Sequence, residues 1–163
     1  MIEYKDYIED AKDFPTEGII YKDIQPLLED NFALSSAIEE MADLTEDWPN
    51  YWIGIESRGF LFASALAMKF GGGVKIIRKK GKLPDVNHTL HSVEYDLEYG
   101  SSSIEMKPGE GNVIIVDDVY ATGGTMEAAE QLCQMSGYNV IDKLCLVDIG
   151  IKKGHDVKCL VEY

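Results

Sequence analysis

The chain has 163 residues, 45% hydrophobic and 27% charged, enough to bury a proper core in one domain and without a disordered signature. A formal net charge of −14 argues against a nucleic-acid or anionic-membrane surface, because such partners require positive potential. No apolar run approaches the roughly 20 residues of a membrane span, and the acidic opening lacks a signal-peptide pattern, so a cytoplasmic protein is expected.

In chain order, residues 3–12 set Tyr4, Tyr7, Ile8 and Ala11 at helical spacing, until Asp13-Phe14-Pro15 stops the pattern. Residues 14–28 are rich in turn formers. The spacing of Phe32, Leu34, Ile38, Met41 and Leu44 predicts an amphipathic helix over 32–44. Residues 51–55 read as a buried strand, 60–70 as a helix stopped by Gly71-Gly72-Gly73, and 74–77 as a second strand. A third strand is expected at 113–116, a helix at 126–136 closed by Gly137, and further strands at 140–149 and 157–161. Continuous apolar strands alternating with helices predict an α/β domain over 1–163: a parallel twisted sheet flanked by helices. Cys133, Cys145 and Cys159 form no CxxC pair and read as core thiols in a reducing compartment.

Ligands of such sheets bind beyond the carboxyl ends of the strands. Glu56-Ser57-Arg58, Arg78-Lys79 and Asp117-Asp118 each follow an expected strand, so all three should gather at one edge. The most telling stretch is Asp117-Asp118-Val119-Tyr120-Ala121-Thr122-Gly123-Gly124-Thr125. A strand, a glycine turn and a helix start aim backbone N–H groups and the positive helix end at one spot, which suits a phosphate. Two carboxylates beside a phosphate would repel it unless they face sugar hydroxyls or a cation such as Mg²⁺. A phosphorylated ribose satisfies all of these demands.

Five of the fifteen basic residues lie in 75–82, which suits neutralisation of a diphosphate, and Arg58 offers a bidentate fork. The polar stretch 85–103 is a candidate mobile lid, with a β-hairpin as the other reading; a carboxylate such as Glu98 on a closing lid suits proton transfer. His88 and His91 read as solvent-facing lid residues, and His155 as a surface residue.

The acid pair followed by Ala-Thr-Gly-Gly-Thr resembles the phosphoribosyl-pyrophosphate motif of the type I phosphoribosyltransferases. Asp13-Phe14-Pro15, Gly18-Ile19-Ile20-Tyr21-Lys22-Asp23-Ile24, Glu56-Ser57-Arg58-Gly59-Phe60, Arg78-Lys79-Lys80-Gly81-Lys82-Leu83-Pro84 and Leu97-Glu98-Tyr99-Gly100 precede it in order. Together, from about residue 13 to 154, they are similar to the adenine branch of that family.

The resemblance implies the type I fold with a small N-terminal hood (1–28) and a flexible catalytic loop (85–103). It implies transfer of phosphoribosyl from phosphoribosyl pyrophosphate to adenine, giving AMP and pyrophosphate, with Mg²⁺ held mainly by the pyrophosphate and water. By it, Asp117 and Asp118 hold the ribose hydroxyls, and Ala121, Thr122, Gly123, Gly124 and Thr125 cradle the 5-phosphate. Ser57, Arg58, Arg78, Lys79 and Lys82 surround the pyrophosphate, with Arg78 reaching across a homodimer interface. Ile20, Tyr21, Lys22 and Ile149 line the base pocket, and Glu98 exchanges the purine proton. Tyr21 and Lys22 replace the family's commoner phenylalanine and arginine, and Thr16-Glu17 stands where a proline more often precedes the glycine. Another purine (hypoxanthine, guanine or xanthine), or a non-catalytic sensor of phosphoribosyl pyrophosphate, stays open as an alternative.

Overall fold

A computed structural model describes residues 2–97 and 100–163 of the protein. Tyr4–Tyr7 forms a single 3-10 turn. Strand β1 (Glu9–Lys12) then runs antiparallel to β2 (Ile20–Asp23), with Glu9 opposite Asp23 and Lys12 opposite Ile20. The helical spacing of 3–12 therefore resolves into a turn and a strand. So short a segment gains little from helix nucleation alone, while the ladder with β2 satisfies its backbone. Tyr4 and Ile8 still point into the core. The turn-rich stretch also holds α1 (Gln25–Glu29), which Pro26 helps to start.

Helix α2 (Asn31–Asp43) begins where the Asp30 carboxylate accepts the N–H groups of Phe32 and Ala33, both at 2.9 Å. Strand β3 (Tyr51–Ile55) leads into α3 (Gly59–Phe70), and β4 (Gly73–Lys79) follows. A hairpin of β5 (His91–Leu97) and β6 (Gly100–Met106) comes next. Then come β7 (Gly111–Tyr120), α4 (Gly124–Met135), β8 (Tyr138–Asp148) and β9 (Lys158–Glu162).

The main sheet has seven strands in the order β5-β6-β4-β3-β7-β8-β9. The five from β4 to β9 are parallel; β6 joins β4 antiparallel and pairs antiparallel with β5. Alternation along the strands divides the core in two. Trp52, Ile114, Val116, Leu144 and Leu146 face α2 and α3, where Met41, Phe62 and Leu66 are fully buried. Ile53, Ile55, Val113 and Ile115 face α4 through Ala129, Leu132 and Cys133. Each such large side chain contributes roughly 1.5–3 kcal/mol by leaving water. Among the described residues no helix is long and apolar enough to cross a membrane.

Two strands run further than their apolar cores. β7 pairs with β3 only as far as Val116, but β8 accompanies it to Tyr120. Asp117 and Asp118 therefore sit on a strand whose other flank has just opened. β4 likewise carries Arg78 and Lys79 inside the strand, opposite Glu105 and Ile104 of β6.

Candidate active site

Beyond Tyr120 the chain makes a short turn and enters α4. Gly123 sits at φ 89°, the left-handed region, and is buried. A Cβ there would lie 2.6 Å from Tyr120 Oη, so the turn is packed tightly against that ring. Among the described residues no side chain caps the start of α4, which leaves its first N–H groups and the positive end of its dipole for an anion. Ala121, Thr122, Gly123 and Thr125 line a cavity of about 140 Å³ there, with Asp117 at its side and Leu97 of β5 at its rim. The hairpin reaches this turn: a Cβ on Gly124 would stand 3.1 Å from the Asp96 carbonyl. Glu98, assigned to proton exchange, lies outside the described residues.

The acid pair behaves asymmetrically. Asp118 is buried and ion-paired, its Oδ2 2.5 Å from Arg58 Nε, although no hydrogen bond of good geometry reaches that oxygen from the described residues. Asp117 Oδ1 accepts the Asp118 N–H at 2.9 Å. Burial first, and then the Asp118 charge, push the Asp117 carboxyl well above the usual carboxylate range. Helix α3 starts against this pair. A Cβ on Gly59 would meet the Val116 carbonyl at 2.8 Å and Asp117 Oδ1 at 3.1 Å, so glycine is required there.

The five residues assigned to the pyrophosphate divide into two groups. Arg78 and Lys82 converge on Glu56, with Lys82 Nζ 3.0 Å from Oε1 and Arg78 Nε 3.4 Å from Oε2. Lys79 contributes its backbone N–H to Glu56 Oε2 at 2.7 Å, while its side chain is exposed. Arg58 instead turns to Asp118 and donates Nη1 to the Lys22 carbonyl at 3.1 Å. Ser57 is exposed in the turn before α3, where its carbonyl accepts the Phe60 N–H at 3.1 Å.

Ile20, Lys22 and Ile149 line one cleft of about 320 Å³ together with Gly18, Ile19 and Ile151. Lys22 Nζ is drawn aside to Asp10 Oδ1 at 2.6 Å, over the Tyr163 ring 3.7 Å from its centroid. Tyr21 stands apart from these lining residues. Its ring supports the Arg58 guanidinium at 4.5 Å and meets Phe14 edge-on at 5.2 Å. The Ile149 N–H donates to the Tyr120 carbonyl at 3.1 Å, so this cleft and the cavity at the start of α4 flank the same end of β7 and β8.

Glu56 is the residue at this edge that sequence reasoning passed over, although it heads the Glu-Ser-Arg motif. His155 is another. Expected at the surface, its side chain is only 14% exposed, with Nε2 3.1 Å from Asp148 Oδ2 and its ring 4.2 Å from that of Tyr120. Asp148 Oδ1 also accepts the Gly150 N–H at 2.8 Å, which fixes the turn just after Ile149. The only sequence signal for this pair was an acid ending an apolar strand. Burial also pushes the Cys133 thiol up to about 12, as expected of a core cysteine.

The family model described as phosphoribosyl transferase domain matches residues 21–163. The chain belongs to the phosphoribosyl transferase family. Its sheet flanked by helices is the type I fold of that family. Among similar proteins, the adenine phosphoribosyltransferase of Hydrogenovibrio crunogenus is 48% identical over 146 residues, covering 88% of this chain and 83% of that one. The crystal structure of adenine phosphoribosyltransferase from Thermoanaerobacter pseudethanolicus is 36% identical, with a TM-score of 0.89, and the match covers 99% of this chain and 98% of that one. The enzyme of Giardia lamblia in complex with 9-deazaadenine matches with a TM-score of 0.88 and 30% identity, over 99% of this chain and 96% of that one.

Proposed function

We propose that this phosphoribosyltransferase acts on adenine, converting adenine and phosphoribosyl pyrophosphate to AMP and pyrophosphate in purine salvage in the cytoplasm. The observation that carries the reading is the bridge through Arg58. One guanidinium joins Asp118, on the ribose side, to the carbonyl of Lys22, on the base side. The names of the similar enzymes, and the 9-deazaadenine bound to the Giardia relative, support adenine as the base.

In this reading the first turn of α4 and Thr122, Thr125 and the glycines hold the 5-phosphate, while Asp117 and Asp118 take the ribose hydroxyls. The apolar walls of Ile20 and Ile149 receive the purine. A ring nitrogen of adenine attacks the anomeric carbon, the C–O bond to pyrophosphate breaks, and its electron pair leaves with the diphosphate. The ring nitrogen then loses a proton, for which Glu98, which follows β5 in the chain, is the acceptor. Holding base and sugar in line supplies several kcal/mol of the acceleration. Ser57, Arg58, Arg78, Lys79 and Lys82 stabilise the charge that develops on the leaving group.

Among the described residues no three His, Cys, Asp or Glu side chains are placed to hold a metal ion, and Asp118 is already engaged by Arg58. Mg²⁺ bound with the pyrophosphate would neutralise charge on the leaving group. Exposed Leu61 and Met68 of α3, with Val74 and Ile76 of β4, support a homodimer face; Arg78 is assigned to act across it.

The test is a panel of tubes containing the protein, phosphoribosyl pyrophosphate and Mg²⁺ with adenine, hypoxanthine, guanine or xanthine. AMP is the expected product. Preferential formation of another nucleotide would overturn the base assignment, and binding of phosphoribosyl pyrophosphate without turnover of any base would favour a sensor.

A further inference from the structure

Two buried carboxylates hold the basic loop after β4, and they hold it differently. Among the described residues Glu105, 6% exposed, accepts only backbone: its Oε1 takes the N–H groups of Gly81 and Leu83, each at 3.1 Å. Glu56, with a side chain 9% exposed, takes one backbone N–H and two cations. Its bond to the Lys79 N–H is short, at 2.7 Å. The bonds from Arg78 Nε and Nη2 are both 3.4 Å, and that from Lys82 is 3.0 Å. Charge-assisted N–H···O bonds normally settle near 2.7–2.9 Å. The amide is therefore gripped firmly, and the two cations are gathered by charge without optimal bonding.

We propose that Glu56 is a positioning residue that stands in for the diphosphate, gathering Arg78 and Lys82 and yielding them to pyrophosphate while keeping the Lys79 N–H. The proposal rests on the assignment of Arg78 and Lys82 to the pyrophosphate. A diphosphate carries more charge and more acceptor oxygens than one carboxylate, so it wins Lys82 when it enters, and Arg78 is freed toward the diphosphate across the dimer face. Glu56 reclaims them as the product leaves, which speeds release and offsets the mutual repulsion of the loop's cations. Burial raises the Glu56 carboxyl, yet the Lys79 N–H, Lys82 and Arg78 outweigh it and hold the pKa at about 2. The competitor is thus anionic throughout the neutral range.

Calorimetric titration with inorganic pyrophosphate, in a constant Mg²⁺ background, tests this in the wild-type chain, Glu56→Gln, Lys82→Ala and the double variant. Glutamine still accepts the Lys79 N–H but no longer competes for cations. Glu56→Gln is expected to bind pyrophosphate about tenfold more tightly, since one buried ionic competitor is gone. Its KM for phosphoribosyl pyrophosphate and its kcat should fall together, because release slows. In the Lys82→Ala background the gain should shrink to about threefold or less, the mark of a coupled pair. Unchanged or weaker pyrophosphate binding by a folded Glu56→Gln chain would overturn the proposal. No pyrophosphate binding by wild type, or none lost in Lys82→Ala, would instead overturn the placement of the diphosphate at this loop. In the wild-type chain, independently of any variant, the Glu56 carboxyl ¹³C resonance should move on saturation with pyrophosphate; a stationary resonance contradicts the exchange.

Discussion

Arg58 and Asp118 form an ion pair 2.5 Å long that ties the end of β3 to the end of β7. The same guanidinium reaches the Lys22 carbonyl and rests on the Tyr21 ring, so one side chain sets the spacing between hood and sheet. The Asp118 side chain is 9% exposed and that of Arg58 26%. The pair is thus largely shielded from solvent, where losing one partner strands the other.

Replacing Arg58 with alanine should lower unfolding free energy by about 3 kcal/mol, the scale of a broken buried pair, and should raise KM for both substrates. Arg58→Lys should recover much of the stability but little of the affinity, because lysine has no fork to reach Asp118 and Lys22 together. Denaturant melts and initial rates on the three chains check this.

Asp117 gives a prediction with a pH sign. Its folded-state pKa is raised, so the folded chain loses stability as pH climbs from the ordinary carboxylate range to that raised value, and the full cost stands above it. Asp117→Asn keeps the acceptor for the Asp118 N–H and removes the cost. At pH 8 the variant should therefore be more stable by about 1 kcal/mol, or about 2–4 °C in Tm. That advantage should shrink as pH falls below the raised pKa and vanish only once pH reaches the ordinary carboxylate range, where both states are protonated. Its kcat/KM for phosphoribosyl pyrophosphate should nevertheless drop, since the ribose loses a carboxylate. Thermal melts across pH, beside kinetics, check both halves.

Ile149 lines the cleft we assign to the base and is pinned through its N–H to Tyr120. Truncation to alanine should raise KM for adenine by about tenfold, the worth of a lost apolar contact, and leave kcat nearly unchanged. That pattern marks binding shared by ground and transition states. A fall in kcat with constant KM would mean that Ile149 acts on the chemistry instead.

Glu98→Gln should reduce kcat by about 10²–10⁴-fold, the usual contribution of a positioned acid or base, with phosphoribosyl pyrophosphate still bound normally. Single-turnover rates together with equilibrium binding separate the two effects. Unchanged turnover would assign the proton to another group.

Much of this architecture was legible because it is local. Continuous apolar runs gave β3, β7 and β8, and Ala121 to Thr125 announced a glycine turn at a helix start. The hood was misread because β1 becomes a strand only through pairing with β2, a partner that helical spacing in 3–12 does not reveal. Glu56 escaped notice for a similar reason. Its importance appears only when Arg78 and Lys82, more than twenty positions away, fold back onto it. His155 looked like a turn residue among lysines and a glycine, until the return of its loop set it against Tyr120 and Asp148. Asymmetry within the acid pair was likewise invisible, since it depends on which carboxylate meets Arg58.

The most direct measurement follows labelled adenine into AMP, with phosphoribosyl pyrophosphate and Mg²⁺, for the wild-type chain beside Gly123→Ala. The φ of 89° and the crowding by Tyr120 mean that alanine must reshape the turn before α4, which we assign to the phosphate. Labelled AMP from wild type, and a loss of about 10²-fold or more in a variant that circular dichroism shows folded, is the predicted result. Equal AMP from both chains, or none from wild type, would contradict adenine phosphoribosyl transfer at this site.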